Sequence, residues 1–538
     1  MYDLIIKKGE VIDGSGKSSY VADIAIKDGY IKKICDDIEE PCNNVIDAQG
    51  YIVSPGFIDI DSHSDFSLFS NPRSESKIMQ GITTEIVGQG GRTLGPISEN
   101  HLDDLKQYIC SYDQNKDESN YLNWKTQGDF INILNKKKIS VNIASLVGYG
   151  SIRVSVMGFE KRKPSDMEME KMEFILEKEL SNGIHGLSLG LDNSPDSLAT
   201  MEELVNMAKV VNKYNGICSI HMREEGLHLI QSINEVLEIS EKSGVKLQIS
   251  HLKAAHPQNW GKVKEAISII NKAKQRGIDV DYDVYPYTFY ESVLSDVLPA
   301  WIRQFSPKRI ANFLKQEDIK ENVINDMLDV NSSWGNPMIG SSWDRIRIVS
   351  MKRPENKIYE GMNIEKISDI LNLKPPEAVI KLLIEEDGVI KIIFSAMIET
   401  DLIDVMKQSM SIFCTDGLAV SPYGDYKDVK VHPRYYGTYP RILGRYVREK
   451  QIMALEDAIS KMTLLPAIKM NIKDRGFLGV GFKADITLFN KDTILDRATL
   501  KNPHQYPIGI KAVIVNGIIV VNDQRHTGEL PGEIILRK

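Results

Sequence analysis

One feature restricts the fold more than any other: eight short apolar runs in the middle of the chain, separated by longer segments with helical spacing. The runs are Phe57–Asp61, Thr83–Gly88, Val141–Val147, Gly186–Gly190, Ile217–His221, Leu247–His251, Asp279–Tyr285 and Ser411–Thr415. Between them, Glu202–Asn212 and Lys262–Lys274 repeat apolar residues every three or four positions, as a helix with one buried face requires. Parallel neighbours cannot be joined by a tight turn and need a crossover, usually a helix, so this alternation specifies a parallel sheet. Eight such units in roughly 360 residues fit an α/β architecture closed into a (β/α)8 barrel with insertions.

At 538 residues the chain is longer than one such barrel needs, and both ends change character. Residues 1–55 hold short strand patterns, Leu4-Ile5-Ile6, Ile24-Ala25-Ile26, Ile31-Lys32-Lys33-Ile34 and Tyr51-Ile52-Val53, split by turn residues such as Gly14-Ser15-Gly16 and Asp28-Gly29. Residues 475–538 repeat the pattern with Ala484–Phe489 and Ala512–Val521. Neither half has enough strands to be stable alone. One small β-sandwich built from both termini is therefore expected, with the barrel spanning 56–474. The alternation breaks from about Ser292 to Val349, a stretch carrying Trp301, Trp334 and Trp343, which is expected to be a subdomain inserted on the catalytic face.

With 42% apolar and 26% charged residues the chain reads as ordinary globular protein. A net charge of −8 offers no electrostatic footprint for a polyanion, which argues against nucleic acid as a partner. The N-terminus lacks the basic and apolar regions of a secretory signal, and no run of about 18 apolar residues exists, so the expectation is a cytoplasmic protein without a membrane partner. Five scattered cysteines, Cys35, Cys42, Cys110, Cys218 and Cys414, form no C-x-x-C pair and read as mostly buried small apolar residues. The charge-rich stretch Ser111–Asn120 reads as solvated surface. Subunit association leaves no mark in the sequence.

Chemistry concentrates where the strands end, because in a closed barrel the C-terminal ends converge on one pocket. The first strand ends in Asp61-Ser62-His63, the fifth in His221-Met222-Arg223-Glu224, the sixth in His251-Leu252-Lys253 and the eighth in Asp416-Gly417. Asp61 and His63 are two apart, so an extended strand points both side chains to one face. Imidazole and carboxylate suit Zn²⁺ and similar cations, and a catalytic site needs about three protein ligands with one position left for water. His63, His221, His251, Asp61 and Asp416 supply enough donors.

Linked motifs in this order resemble the amidohydrolase superfamily and, within it, the N-acyl-D-amino-acid deacylase (D-aminoacylase) family. The residues concerned are Ser54-Pro55-Gly56-Phe57-Ile58-Asp59, Gln80-Gly81-Ile82-Thr83-Thr84-Glu85, His221-Met222-Arg223-Glu224-Glu225-Gly226, Ile249-Ser250-His251-Leu252-Lys253, Asp283-Val284-Tyr285-Pro286-Tyr287-Thr288, Thr415-Asp416-Gly417, His432-Pro433-Arg434 and Pro503-His504-Gln505-Tyr506-Pro507. The resemblance implies hydrolysis of the amide joining an acyl group to a D-amino acid or a related peptide-like small molecule. It implies one principal divalent metal, Zn²⁺, held by His221 and His251 with a third ligand from His63, Asp61 or Asp416, and Asp416 as the base. Lys253, Tyr285, Tyr287, Arg434 and Asn193 are the implied substrate-binding residues, with Arg434 best suited to a carboxylate through its forked guanidinium.

Three positions depart from the family pattern. Asp61-Ser62-His63 stands for its His-x-His, Gly90 for a zinc-binding cysteine after the second strand, and Asn193 for an active-site tyrosine. The first two shift the ligand set from sulfur toward oxygen. Two alternatives stay open at this point: a cyclic-amide hydrolase of dihydroorotase or hydantoinase type, which shares the metal logic, and a barrel that binds without metal or catalysis.

Overall fold

Each of the eight barrel strands lies within two residues of its sequence run: Phe57–Asp59, Ile82–Val87, Asn142–Ser145 continued by Val147–Gly148, Gly186–Gly190, Ile217–His221, Lys246–Ile249, Val280–Val284 and Ser411–Phe413. The structure is a computed structural model and describes residues 1–110, 124–332 and 334–538; the stretch 111–120 and the side chain of Cys110 lie outside the described residues. Pairing is parallel throughout, and the third strand passes from the second strand's ladder to the fourth's across Leu146. Closure comes from the ends of strands one and eight. Ser62 and Gly417 form a parallel bridge, and the Asp416 amide donates to the Asp61 carbonyl at 2.9 Å.

A buried lysine pins this seam. Lys77 Nζ donates to Asp59 Oδ2 at 2.8 Å, Thr415 Oγ1 at 2.5 Å and the Gly417 carbonyl at 2.8 Å, and lies 3.4 Å from Glu85 Oε2. Burial opposes the charged form of Lys77, but Asp59 and Glu85 outweigh it and raise its pKa. Glu85 in turn accepts from Ser62 at 2.6 Å and Ser74 at 2.7 Å. An ammonium with no exposed surface is tolerable only with its charge paired and its protons engaged, which this network provides.

The outer helices are amphipathic for the expected reason. In Met201–Lys213, Leu204, Met207, Ala208 and Val211 fall three or four apart and are all buried against the barrel. Burial of each large apolar side chain is worth about 1.5–3 kcal/mol. Thr200 and Glu203 form a capping box at the start, satisfying amide protons the first turn leaves free.

The two ends of the chain share one nine-stranded mixed sheet. Ile52–Pro55 from the N-terminal part pairs antiparallel with Ile486–Phe489 from the C-terminal part, and Leu4, Ile6, Ile24, Ile26, Val53, Ile486, Leu488 and Ile514 form a common core.

The insertion is longer than the sequence reading gave. It forms a three-stranded antiparallel sheet of Tyr290–Val293, Ile346–Ser350 and Lys391–Phe394, with Lys391–Phe394 in the middle, so it ends near Phe394 and not near Val349. The extension escaped notice because Ile364–Leu371 and Pro375–Glu385 have the amphipathic spacing of barrel helices. The insertion docks on segments that follow barrel strands: His256, in the loop after strand six, packs on Tyr290 and Phe394, and the hydroxyl of Tyr435, in the helix Arg434–Arg441, meets Glu291 at 3.1 Å. Among the described residues no helix is long and apolar enough to cross a membrane.

Candidate active site

Strands five and six bring two imidazoles together. The rings of His221 and His251 lie 4.4 Å apart between centroids and nearly perpendicular. His251 Nδ1 lies 2.9 Å from Glu225 Oε1, which also accepts from Lys253 Nζ at 2.7 Å. Lys253 Nζ also lies 2.6 Å from that Nδ1, so both neighbours engage Nδ1 and Nε2 is the nitrogen left to face a metal, with Glu225 fixing the ring. Burial, then Lys253, lowers the His251 pKa, so the neutral, ligand-competent ring is favoured. Burial would raise Glu225, but Lys253 and His251 hold it well below the usual carboxylate range.

Strands one and eight supply the opposite wall. His63 Nε2 lies 3.2 Å from Asp416 Oδ1 and 3.9 Å from Asp61 Oδ1, and Arg434 Nη2 pairs with Asp416 Oδ2 at 3.0 Å. Burial pushes the Asp416 carboxyl up, yet Arg434 and His251 more than reverse this and hold it well below its ordinary value. Burial lowers the His63 pKa.

The two walls meet through Tyr285. Lys253 Nζ lies 5.7 Å from its ring and the Arg434 guanidinium 4.7 Å, so the tyrosine packs between two cations. His432 positions Arg434: its Nδ1 accepts from the Arg434 amide at 3.0 Å while its Nε2 faces the Phe289 carbonyl at 3.0 Å. Those contacts assign a neutral ring protonated on Nε2, in keeping with a pKa pushed far down by burial and then by Arg434. Among the described residues, Tyr285 Oη, Tyr287 Oη, and Arg434 Nε and Nη1 are buried with no hydrogen-bond partner. Buried donors left unmade are costly unless a ligand supplies the acceptor.

Contacts therefore run unbroken from His221 through His251, Lys253, Tyr285, Arg434, Asp416 and His63 to Asp61. Tyr287 sits one layer back, under Arg441 and against His432. Asn193 stays exposed, bonded to Asp192, whose carboxylate lies 3.4 Å from His221 Nε2. The sequence reading passed over Glu225, Asp283 and Cys414. Glu225 followed another glutamate in a loop and resembled surface charge, whereas Asp283 was readable, being two positions from Tyr285 on one strand face.

The loop after strand two has room beside the imidazole. A Cβ on Gly90, whose φ is +64°, would have His63 Cε1 as its nearest neighbour, at 3.6 Å. Gly91 is obligatory in a different way, because a Cβ there would fall 1.9 Å from Asp196 Oδ2. Asp196 accepts from the Gly190 amide at 2.9 Å, and burial lifts its pKa to about 8. A carboxyl raised in the folded state stabilises fully below its unfolded pKa of about 4 and progressively less as pH rises toward the folded value. Tm should thus decline between about pH 5 and 8, the upper limit being set by the pKa of Asp196. Asp196→Asn should flatten that decline, and an unchanged slope in thermal unfolding of the variant would count against the assignment.

The donors fit a divalent metal by their chemistry. Two imidazoles converge, carboxylates flank them, and Asp61 Oδ1 is buried with no hydrogen-bond partner among the described residues.

The N-acyl-D-glutamate deacylase of Alcaligenes xylosoxydans xylosoxydans is 30% identical over 537 residues, covering 99% of this chain and 96% of that protein. The chain belongs to the N-acyl-D-amino-acid deacylase family. The D-aminoacylase of the same organism is 28% identical over 100% of this chain and 98% of its own length. A crystal structure of N-acyl-D-glutamate deacylase from Bordetella bronchiseptica, complexed with zinc and a phosphonate inhibitor that mimics the tetrahedral intermediate, superposes with a TM-score of 0.81 at 28% identity and full coverage of both chains. Residues 415–521 also match the amidohydrolase family model. The family acts on linear amides, which decides against the cyclic-amide alternative, and its zinc-containing member argues against a metal-free barrel.

Proposed function

We propose that the protein hydrolyses the amide bond of N-acyl-D-amino acids, releasing a carboxylate and a free amine, with one principal Zn²⁺ held by His221 and His251. The observation that carries this reading is the enclosure of that pair by Asp416 and by the unpartnered donors of Arg434 and Tyr285. A metal at this position polarises the scissile carbonyl and makes water more acidic. Asp416, kept ionised by Arg434, accepts the water's proton on the side facing His63 and returns it to the leaving nitrogen. Arg434, with Nε and Nη1 available, binds the substrate carboxylate, while Lys253 and Tyr285 face the remaining oxygens. Glu225 fixes both His251 and Lys253. Asn193 and Asp192 stand at the mouth, where they meet the part of the substrate that projects outward. A cytoplasmic setting suits the unpaired, half-buried Cys35 and Cys42.

The test is a panel of N-acyl-D-amino acids, their L-enantiomers and cyclic imides, assayed with zinc-loaded and chelator-treated protein. Release of free D-amino acid that disappears with the metal and returns with zinc is the expected result. Turnover confined to L-substrates or cyclic imides would overturn the proposal.

A further inference from the structure

Charge is divided across the mouth of the barrel. The eight strands close in sequence order, so strand four stands opposite strand eight. Arg434 belongs to the strand-eight side through its pair with Asp416; it is 5% exposed, and its Nε and Nη1 have no hydrogen-bond partner among the described residues. Asp192 belongs to the strand-four side, just past Gly190, and its Oδ2 lies 3.4 Å from His221 Nε2. The His221–His251 pair stands on the arc between them, on strands five and six. Asp192 is held in place: Asn193 Nδ2 donates to its Oδ2, the Asn193 amide donates to the Gly190 carbonyl at 3.1 Å, and Arg223 Nη1 donates to the Ser197 carbonyl at 2.6 Å. A second carboxylate joins it from the insertion. Asp296 accepts from Ser292 Oγ, and burial raises its pKa, a rise that Ser292 and Arg303 oppose and Asp192 reinforces. Among the described residues neither Asp192 nor Asp296 forms an ion pair with lysine or arginine.

We propose that Asp192 and Asp296 bind an ammonium on the acyl part of the substrate, so that the protein cleaves dipeptides with a free N-terminus and a C-terminal D-residue in preference to simple N-acyl-D-amino acids.

The inference rests on the deacylase reading, which puts the substrate carboxylate at Arg434 and the scissile carbonyl at the His221–His251 pair. Along an N-acyl amino acid the groups run carboxylate, Cα, nitrogen, carbonyl, acyl carbon. The trans amide is planar and holds its two flanking carbons about 3.8 Å apart on opposite sides. With the carboxylate on the strand-eight side, the acyl carbon is the one that points toward strand four and Asp192. An acidic wall there repels a second carboxylate, gives a plain acetyl group no polar partner, and attracts a cation.

An aminoacyl group carries its ammonium on that carbon, with three donors to share between two carboxylates in charge-assisted hydrogen bonds. The unpartnered fork of Arg434 is an independent sign that the same cleft receives an anionic end, and a dipeptide is the zwitterion that supplies both. The bond changes are those of hydrolysis. The hydroxyl of water joins the carbonyl carbon, and the carbon–nitrogen bond breaks with its electron pair on nitrogen. That nitrogen takes the proton carried by Asp416, and two free amino acids leave. Asn193, which departs from the family pattern, serves by orienting Asp192.

The test uses zinc-loaded full-length protein and the glycyl, N-acetyl and N-malonyl derivatives of whichever D-amino acid the panel above turns over best. These differ only at the acyl carbon, which bears an ammonium, a hydrogen or a carboxylate. The glycyl compound should exceed the acetyl one in kcat/KM by about tenfold to a hundredfold, the worth of a hydrogen bond to a charged group, and the malonyl compound should be the poorest. Asp192→Asn should bring the glycyl-to-acetyl ratio close to one, and Asp296→Asn should lower it. Because the ratio is taken within one variant, any loss of folded or metal-loaded enzyme cancels. A ratio of one or less in the unmodified protein, or a ratio that Asp192→Asn leaves unchanged, would overturn this inference and leave the deacylase reading standing. No turnover of any of the three would overturn both. Should Asp192→Asn not fold, the order of the three substrates in the unmodified protein and the ratio in Asp296→Asn decide.

Discussion

Replacing Asp416 by asparagine should lower kcat by about a hundredfold to ten-thousandfold, the contribution of a well-placed general base. Asparagine keeps the shape and an acceptor oxygen for Arg434 Nη2, which now stands 3.0 Å from Asp416 Oδ2, so folding is expected to persist. The amide cannot take a proton from water. KM should change far less than kcat, because the group acts on the attacking water and not on bound substrate. Steady-state kinetics alongside metal content of the purified variant make the check, and an unchanged kcat at full metal content would remove Asp416 from this role.

Arg434→Ala should be damaging in two separable ways. Arg434 and Asp416 are 5% and 9% exposed, and cutting one partner from a buried ion pair costs about 3–5 kcal/mol of stability. The same change removes the fork offered to a substrate carboxylate and leaves Asp416 without the charge that keeps it ionised. Activity on N-acyl-D-amino acids should therefore collapse. Arg434→Lys separates the causes, since it retains the charge beside Asp416 but cannot bind a carboxylate bidentately. It should recover much of the lost Tm while KM for the carboxylated substrate stays high. Equal KM in Arg434→Lys and the unmodified protein would show that the substrate carboxylate binds elsewhere.

Much of this architecture was readable because it depends on local pattern. The eight barrel strands are buried on both faces, so each appears as a short apolar run, and the polar residue ending it stands out against that background: His221 after Ile217–Ile220, Asp416 after Ser411–Thr415. What escaped depends on pairing across space. Lys391–Phe394 has the composition of a barrel strand, and only its antiparallel partners Tyr290–Val293 and Ile346–Ser350 assign it to the insertion. Glu225 acquires its role from His251 and Lys253, which follow it by 26 and 28 positions. Cys414 read as apolar filler, and a buried thiol does look like filler until the carboxylates facing it are known. Asn193 was singled out by its place in a motif, but motif position does not determine which way a loop side chain turns, and here it turns to solvent.

The seam pinned by Lys77 also determines when, during synthesis, the site can come into being. Thr415 bonds Asp59 across 356 positions, and the nine-stranded sheet likewise waits for its C-terminal strands. On a ribosome, Asp59, Lys77 and Glu85 emerge early, yet a lysine destined for complete burial has no place to go until the last barrel strand arrives. A nascent chain short of Ser411–Arg434 lacks both the eighth wall of the barrel and the guanidinium that steadies Asp416. The chain therefore behaves as a single assembly step near the end of translation, and no cut between barrel and β domain should release a half that captures metal on its own.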